Sequence, residues 1–492
     1  MLYFSTRNEK NKVTAAEAIS RGLAPDGGLF VPETLPRITL DDIKEIGKKD
    51  YRGRALNIMK LFLDEFTEDE LRGMIAEAYG DSFDSADTAP VHFVDDKTAV
   101  LELWHGPTCA FKDMALQMLP HLLTASLKKC GEQRKVCILV ATSGDTGKAA
   151  LEGFADVENT KILVFYPHNG VSDVQKLQMI TQTGDNVSVA AVRGNFDDAQ
   201  TGVKKIFADK DFAERLSENG WFLSSANSIN WGRLLPQIVY YFSAYCDFAN
   251  SGRVNYGDKV DFAVPTGNFG NILACWYAKN MGLPVGKLIC ASNRNNVLAD
   301  FFDNGVYDRN RTFYTTISPS MDILVSSNLE RLLYSVCKND AEVAGYMKEL
   351  TETGKYEVSE AIKSVARENF VGGYCSDADT KAVIGKVYAE NGYLMDTHTA
   401  VAFKKVLDYR TENAAVPTVV VSTASPYKFC DSVLEALCQE TAGSGTQLIE
   451  KLSDFTKTSV PKPLAGLDKR EKRFSLVTDK DDMKKVVAEF LL

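Results

Sequence analysis

The chain has 492 residues, which is too long for one typical hydrophobic core and predicts two or three lobes. With 45% hydrophobic and 25% charged residues, it has the composition of a globular protein with a large buried interior. The formal net charge of −10 excludes the broad basic surface that general nucleic-acid binders and binders of acidic membranes require.

The ten cysteines are scattered without a Cys-x-x-Cys pair, and several lie in apolar runs. This pattern favours buried thiols in a reducing compartment over a disulfide framework. The first residues lack the features of a secretory signal, and no stretch approaches the roughly 18 apolar residues of a membrane helix. We expect a cytoplasmic protein without nucleic-acid or membrane partners, and the sequence leaves monomer and dimer open.

Residues 1–85 predict a small helix-rich N-terminal domain, because apolar residues recur at helical spacing over 41–48, 51–66 and 68–79. Residues 86–492 are expected to form one larger domain made of two α/β lobes. Here short apolar runs alternate with helical patterns, and the runs lie at 136–141, 161–166, 187–192, 260–264, 287–291 and 417–422. The alternation predicts doubly wound parallel sheets with helices on both faces.

The remaining segments differ in their patterns. Residues 307–327 have weak periodicity and predict a loop or a cover beside a site. Helices are expected over 329–369. After Leu464 we expect a strand and then a final helix over 480–492.

Lys112 lies where an apolar, strand-like run ends at a Gly-Pro pair and a helical pattern begins. A lysine there could form an imine, although most lysines are solvated surface charges. In open α/β sheets ligands lie beyond the carboxyl ends of the strands, so the loops after three apolar runs bear on its role.

The first loop, Gly267-Asn-Phe-Gly-Asn271, precedes a helical pattern. Its two glycines permit unusual backbone angles, and N–H groups at a helix start form a concave site of positive potential. A phosphate suits this loop, and a simple tight turn is the alternative. The motif is neither Gly-x-Gly-x-x-Gly nor a Walker loop, which disfavours a nucleotide.

The second loop, Ser-Gly-Asp-Thr-Gly, follows the run 136–141. Ser143 and Thr146 offer hydroxyl groups, and the helix start offers N–H groups, so a substrate carboxylate could bind here. Helix capping by Ser143 or Asp145 is the alternative. Ala149 stands where a Walker loop has its Mg²⁺-binding hydroxyl, which disfavours a nucleoside triphosphatase.

The third loop begins with Thr423, directly after a continuously apolar run that is typical of a buried parallel strand. Its hydroxyl needs a partner, either a backbone group or a cofactor ring nitrogen. A reactive lysine, a phosphate cradle and a buried hydroxyl are together the three parts that hold pyridoxal phosphate. If a hydroxyl rather than a carboxylate partners the ring nitrogen, the cofactor favours elimination and replacement at the β or γ carbon of the substrate.

Two other kinds of site are disfavoured. The five histidines form no His-x-x-x-His motif and no tight His/Cys cluster, so no metal site is expected. Gly-x-Ser-x-Gly is absent, which argues against Ser-His-Asp hydrolysis.

Over nearly its whole length the chain resembles the threonine synthase family, pyridoxal-phosphate enzymes of the tryptophan-synthase-β fold type. The resemblance is carried by the motifs His-Gly-Pro-Thr-Cys-Ala-Phe-Lys-Asp (105–113) and Asn-Ser-Ile-Asn-Trp-Gly-Arg (227–233), and by 22–32, 143–147, 267–271, 318–331, 396–400 and 422–429. Related dehydratases and cysteine synthases would share the lysine and a phosphate loop. They would lack 227–233, 318–331 and the N-terminal domain.

The resemblance implies a role for each candidate residue. Lys112 would be the Schiff-base residue and Thr423 the partner of the pyridine nitrogen. The cofactor phosphate would lie on a loop formed by Gly267, Asn268, Phe269, Gly270 and Asn271. Ser143 and Thr146 would face the substrate carboxylate, and the substrate phosphate would meet Asn227, Ser228 and Arg233. A guanidinium fork matches phosphate oxygens, and a structural ion pair of Arg233 is the alternative.

The implied reaction converts O-phospho-L-homoserine and water to L-threonine and phosphate, the last step of threonine biosynthesis, by γ-elimination and β-addition of water. Lys112 would move protons at Cα and Cβ. Two alternatives remain: a phospho-lyase that gives 2-oxobutyrate from the same substrate, and a non-catalytic regulatory protein that keeps the fold and the cofactor.

One departure from the family concerns the segment after Thr423. The family often has His-Pro-Ala-Lys-Phe, where this chain has Ser425-Pro-Tyr-Lys-Phe. No histidine is available at 425, and the bulkier Tyr427 could alter packing near the cofactor ring. His398 is interpreted as a packed or capping residue rather than an acid–base group.

Overall fold

The computed structural model describes residues 1–142, 144–413 and 416–492. The N-terminal part combines a three-stranded antiparallel sheet, in the order β2-β1-β3, with four helices. Its elements are β1 (Tyr3–Ser5), β2 (Asn8–Val13), α1 (Ala15–Arg21), β3 (Phe30–Pro32), α2 (Leu40–Gly47), α3 (Tyr51–Met59) and α4 (Glu68–Ala78).

Helices α2 and α4 agree with the prediction within one residue at each end, and Thr–acid capping boxes fix where both begin. The prediction for α3 is wrong at its end, because the helix stops at Met59. Beyond it Phe62 and Phe66 are buried, but their N–H groups donate three residues back, to Met59 and Leu63. The helical spacing of apolar residues therefore continues through turns.

The following elements alternate between short strands and helices. They are β4 (Val91–Phe93), β5 (Thr98–Glu102), α5 (Asp113–Leu116), α6 (Leu119–Lys129), β6 (Lys135–Ala141), α7 (Asp145–Phe154), β7 (Thr160–Pro167), α8 (Asp173–Ile180), β8 (Val187–Arg193), α9 (Phe196–Ala208), α10 (Lys210–Glu218), β9 (Trp221–Ser224) and α11 (Trp231–Asn250).

The rest of the chain continues this alternation and adds three short 3₁₀ turns, Pro319–Met321, Pro426–Lys428 and Leu467–Lys469. The elements are β10 (Val260–Pro265), α12 (Gly270–Met281), β11 (Val285–Ser292), α13 (Val297–Asn304), β12 (Val306–Asp308), α14 (Leu329–Cys337), α15 (Asp340–Glu352), β13 (Lys355–Glu357), α16 (Glu360–Asn369), β14 (Phe370–Tyr374), α17 (Asp377–Asn391), α18 (Thr397–Glu412), β15 (Thr418–Ser422), α19 (Cys430–Ala436), α20 (Thr446–Thr456), β16 (Val477–Asp479) and α21 (Met483–Leu491).

Two larger sheets form the two predicted α/β lobes. One has the order β14-β11-β10-β15-β5-β4 and is parallel except for β4 at its edge, and the other, β16-β8-β7-β6-β9, is wholly parallel. All six predicted strands are present within two residues at each end. Their runs of Val, Ile and Ala are buried, as expected for strands covered on both faces.

The order β10-β15-β5 brings three distant parts of the sequence together. These strands are parallel neighbours, so their carboxyl ends lie at the same edge of the sheet. Lys112, Thr423 and the loop at 266–271 follow these three strands. The topology therefore assembles one site from segments more than 150 residues apart.

A long connection between β12 and α14 covers this edge, in agreement with the prediction for 307–327. It is held by Asp322, whose Oδ1 accepts hydrogen bonds from the side chains of Asn293 (2.8 Å), Asn295 (3.0 Å) and Thr316 (2.8 Å). In the described parts of the chain no helix is both long and apolar enough to cross a bilayer. All ten cysteines are free thiols.

Candidate active site

Lys112 lies at the start of α5 with its amine enclosed by protein. Its Nζ donates to Ser320 Oγ at 3.3 Å and lies 3.8 Å from Asp145 Oδ2. The residue is 8% exposed. Burial lowers the pKa of Lys112 to about 8, and the nearby Asp145 carboxylate opposes this shift. About a tenth of this amine is therefore uncharged at pH 7, far more than for a lysine in water.

Asp145 joins Lys112 to a second buried lysine. Lys428 Nζ lies 2.8 Å from Asp145 Oδ1, is fully enclosed, and also donates to the Thr108 carbonyl at 2.9 Å. Burial alone would raise the pKa of Asp145, but the ammonium groups of Lys428 and Lys112 outweigh burial and lower the pKa below its usual range. Because Asp145 begins α7 and Lys428 follows β15, the ion pair bridges the two lobes.

Replacing Lys428 by methionine should destabilise the fold, because it leaves the buried Asp145 carboxylate without its closest cation. Removal of one member of a buried pair costs about 3 kcal/mol, and we expect the free energy of unfolding to fall by that amount. Urea denaturation measures it. The double variant Lys428→Met with Asp145→Asn should recover part of the loss, and a single variant as stable as the original chain would contradict the pairing.

Ser320, the acceptor for Lys112, is held in place by a buried histidine. The Ser320 N–H donates to His398 Nε2 at 3.2 Å, and His398 Nδ1 lies 2.8 Å from Asp396 Oδ1. Asp396 also caps α18 through the N–H of His398 at 2.8 Å. This arrangement assigns the proton to Nδ1 and makes His398 a packed, positioning group, as the sequence indicated.

The loop after β10 presents free N–H groups at the start of α12. Within the described residues, none of the N–H groups from Gly267 to Asn271 donates to a protein acceptor. Position 267 requires a glycine because the Ser320 carbonyl oxygen approaches it closely, and a Cβ there would lie 2.6 Å from that oxygen. Successive free N–H groups at a helix N-terminus are a binding site for an anion such as phosphate.

The unusual backbone angle that the two glycines of this loop would permit is taken by a different residue. Phe269 is the left-handed residue, with φ of 65°, whereas neither Gly267 nor Gly270 has a positive φ. The Phe269 ring is buried and stacks on Phe302 with 5.9 Å between centroids. Aromatic packing therefore compensates a backbone strain that sequence reasoning assigned to glycine.

Asn271 supplies a further donor beside these N–H groups. Its Oδ1 accepts from the hydroxyls of Tyr240 (2.5 Å) and Tyr241 (2.6 Å), while its buried Nδ2 has no hydrogen-bond partner. A buried amide donor without an acceptor costs free energy unless a ligand satisfies it. Asn268 differs, because its side chain is exposed.

Thr423 lies against the backbone of the lysine segment. Its carbonyl accepts from the Phe111 N–H at 2.8 Å, and a β-bridge joins the adjacent residues Ala110 and Ala424. The Thr423 residue is 6% exposed, and its hydroxyl forms no hydrogen bond with the part of the chain that the structure describes. The structure therefore offers no backbone partner, the alternative left open by the sequence.

The start of α7 offers a second set of free donors. Gly144, with φ of 143°, is the N-cap without a side-chain capping bond, and the N–H groups of Asp145 and Thr146 have no acceptor among the described residues. The Thr146 hydroxyl is likewise without a described partner. Capping by Asp145 is wrong, since its carboxylate pairs with lysines. The predicted Ser143 lies outside the described residues.

Arg233 is a buried cation without a counterion. It is 4% exposed, donates to the Ala226 carbonyl at 2.8 Å, leaves Nε without a partner, and forms no ion pair with any described carboxylate. Burial lowers its pKa to about 10, so the group stays charged at neutral pH. The structural ion pair considered as the alternative is therefore absent from the described chain, and the free guanidinium edge suits an anion.

The other two predicted substrate residues are less constrained. The Ser228 carbonyl accepts from Asn328 Nδ2 at 3.3 Å, which ties this segment to the cover. Asn227 is exposed, and its carbonyl accepts from the Asn230 N–H at 3.2 Å. No described side-chain contact joins Asn227 to the other predicted residues, and its role stays a prediction.

Tyr427, the residue that departs from the family pattern, is anchored away from the lysine. Its hydroxyl lies 2.7 Å from Thr458 Oγ and 2.9 Å from the Thr458 carbonyl. Its ring therefore packs toward the C-terminal segment.

Three family models match the chain. They are described as threonine synthase N terminus (residues 2–79), pyridoxal-phosphate dependent enzyme (98–424) and threonine synthase, C-terminal (399–488). The threonine synthase of Pseudomonas aeruginosa is 41% identical over 479 residues, which cover 97% of this chain and 96% of that protein. The chain belongs to the threonine synthase family. The resemblance drawn from the motifs is thereby confirmed.

Solved structures agree with this assignment and confirm the fold class. The PLP-bound threonine synthase from Brucella melitensis superimposes with a TM-score of 0.89 at 38% identity, covering 100% of this chain and 98% of that chain. The yeast threonine synthase gives a TM-score of 0.89 at 34% identity, with the same coverage. The proposed domain limits, 1–85 and 86–492, stay a prediction.

Threonine synthase family members include longer proteins. Human threonine synthase-like 1 is 42% identical over 443 residues, which cover 87% of this chain and 59% of that protein. The chain thus spans about three fifths of the length of these mammalian relatives.

Proposed function

We propose that this chain binds pyridoxal 5'-phosphate and converts O-phospho-L-homoserine and water to L-threonine and phosphate. One observation carries the proposal: the enclosed amine of Lys112 donates to Ser320 Oγ at 3.3 Å, and the Ser320 backbone packs directly against Gly267, where the loop with free N–H groups begins. Burial, together with the Lys428 and unpaired Arg233 cations, lowers the pKa of the same amine. An amine with two anion sites matches a phosphorylated aldehyde cofactor and a phosphorylated amino-acid substrate.

The residues present fit the cofactor. The free N–H groups from Gly267 to Asn271 and the unpartnered Asn271 Nδ2 would hold its phosphate, Lys112 its aldehyde, and the Thr423 hydroxyl its ring nitrogen. When bound, pyridoxal phosphate supplies an electron sink that stabilises negative charge on carbons near the substrate amino group. A neutral hydroxyl at the ring nitrogen moderates that sink, which favours loss of a group from the side chain.

Lys112 has the properties of the general base. Its pKa of about 8 is close to working pH, so the amine can accept a proton from substrate Cα and return it to a neighbouring carbon. Its hydrogen bond to Ser320 at 3.3 Å fixes the direction of the amine. Lys112 would move the protons at Cα and Cβ, and the phosphate released from Cγ would accept the proton lost by the added water, so the reaction needs no second acid–base side chain.

The substrate's two acidic groups would bind at separate positions. The free N–H groups of Asp145 and Thr146 at the start of α7, with the Thr146 hydroxyl and Ser143, would hold the carboxylate. Arg233, with Asn227 and Ser228, would hold the phosphate, which leaves from Cγ. Two separate anion sites would select an amino acid that carries a phosphate in addition to its carboxylate.

The nearest alternative, a phospho-lyase that releases 2-oxobutyrate, would use the same residues up to loss of phosphate. The non-catalytic alternative would keep the cofactor but would need no second anion site, so the unpaired buried guanidinium of Arg233, which is costly for stability without an anionic ligand, disfavours it. The free cysteines support the proposal that the enzyme acts in the cytoplasm.

The deciding experiment incubates the purified protein and pyridoxal phosphate with O-phospho-L-homoserine and assays phosphate, threonine and 2-oxobutyrate together. Threonine and phosphate formed in equal amounts would support the proposal. Phosphate with an equal amount of 2-oxobutyrate would establish the phospho-lyase, and no release of phosphate would reject both.

A further inference from the structure

Asn328, at the end of the cover segment, contacts both segments to which phosphate binding is assigned. Its N–H and its Nδ2 each donate to the Asn268 carbonyl at 3.1 Å, and Nδ2 also donates to the Ser228 carbonyl at 3.3 Å. The side chain is fully buried. One amide group therefore joins the 267–271 loop to the 227–233 segment, although these segments belong to different strand ends.

Arg331 in turn fixes Asn328. Its Nη1 donates to Asn328 Oδ1 at 2.6 Å, its Nη2 to the Ile229 carbonyl at 2.6 Å, and its Nε to the Phe30 carbonyl at 3.0 Å. Arg331 is fully buried and has no ion pair with a described carboxylate, so its charge is compensated mainly by these carbonyl oxygens and by the Trp231 ring, whose centroid lies 5.9 Å from the guanidinium carbon. The N-terminal sheet, through Phe30, thus supports the same network.

These bonds determine which way the N–H groups face. In a trans peptide the carbonyl and the following N–H point in opposite directions. Because the Asn268 carbonyl is held toward Asn328, the Phe269 N–H is directed away from it, and the Ser228 carbonyl fixes the Ile229 N–H in the same way. The orientation of free donors in both segments therefore depends on the Asn328 side chain.

We propose that Asn328, held by Arg331, is a positioning residue that sets the orientation and spacing of the two phosphate sites, one for the cofactor and one for the substrate. The inference rests on the proposed function for the identity of the two ligands. Both affinities then depend on Asn328, whose side chain bonds to protein groups on both sides.

The test is Asn328→Asp, which keeps the shape and the oxygen that accepts from Arg331 but places an oxygen against the two carbonyls. We expect the affinity of the apoprotein for pyridoxal phosphate and for inorganic phosphate, measured by fluorescence titration, to fall about tenfold each. KM for O-phospho-L-homoserine should rise by a similar factor, with a smaller change in kcat.

A matched control is Asn186→Asp, since Asn186 Nδ2 donates to the carbonyls of Phe154 (2.8 Å) and Thr160 (3.2 Å) away from the site. It should leave both affinities unchanged. If the aspartate variant does not fold, Asn328→Ser is the second test, because it retains the backbone hydrogen bond to Asn268. It should weaken the binding of inorganic phosphate more than the binding of pyridoxal phosphate.

A folded Asn328→Asp variant with both affinities within twofold of the original chain would overturn the inference, as would a folded Asn328→Ser variant with neither affinity changed. Failure of the proposed function gives a different result. In that case the unaltered protein would bind both probes and form no threonine, and the two titrations would still decide the role of Asn328.

Discussion

Replacing Lys112 by alanine should reduce the rate of threonine formation by about 10⁴-fold, since the variant loses both the amine that holds the cofactor and the general base. The visible absorbance of the bound cofactor should change at the same time, because the alanine side chain cannot attach its aldehyde. Steady-state assays and absorbance spectra of the reconstituted protein measure the two effects. Inorganic phosphate should still bind, because Arg233 and the donors of the 267–271 loop are unchanged.

Lys112→Arg is the matched control for charge. It keeps a cation near Asp145, which lies 3.8 Å from the lysine amine, but a guanidinium remains protonated and cannot serve as the base. It should be as inactive as Lys112→Ala and more stable. An alanine variant with full turnover would remove Lys112 from the reaction.

Replacing Arg233 by methionine should lower kcat/KM for O-phospho-L-homoserine by about 100-fold, or about 2.7 kcal/mol. The reason is the loss of charge-assisted hydrogen bonds to a buried phosphate, each worth about 1.5–3 kcal/mol. Most of the effect should appear in KM, because the phosphate is held in the ground state as well as during its departure. Initial-rate measurements over a range of substrate concentrations separate the two constants.

Arg233→Lys provides the comparison, since it keeps the charge and loses the planar fork. We expect an intermediate loss, with pyridoxal phosphate affinity unchanged in both variants because Gly267 to Asn271 hold that phosphate. Unchanged KM together with reduced stability would instead assign Arg233 a purely structural role.

The sequence predicts the sheets and the three strand ends because a strand that is buried on both faces consists of consecutive apolar residues. The runs at 260–264 and 417–422 correspond to β10 and β15, and the residues that follow them meet at one edge. Position at a strand end is a local signal, and parallel topology converts it into proximity. This is why Lys112, Thr423 and the 267–271 loop were within reach of sequence reasoning.

The residues that support the site could not be predicted from the sequence, because their partners are distant along the chain. Asp145 reads as a helix cap, yet it pairs with Lys428 from the other lobe at 2.8 Å. Asn328 reads as a loop asparagine, and only the fold places it between Ser228 and Asn268. Lys428 had one signal, a lysine just after a buried strand within a motif shared with the family.

The N-terminal sheet was missed for a different reason. Strands β1 and β3 have three residues each, too short for an alternating pattern, and β2 is largely polar and exposed. Its stability comes from packing against the rest of the chain, including the bond from Arg331 to Phe30. Tertiary contacts, not local propensity, determine such strands.

In the proposed reaction, the phosphate at Cγ of O-phospho-L-homoserine is lost and a hydroxyl from water is added at Cβ. The most direct measurement runs the reaction in water labelled with a heavy oxygen isotope and analyses the products by mass spectrometry. We predict one labelled oxygen in threonine and none in the initially released phosphate, because the bond between Cγ and oxygen breaks. Label in phosphate with homoserine as the product, or 2-oxobutyrate in place of threonine, would contradict it.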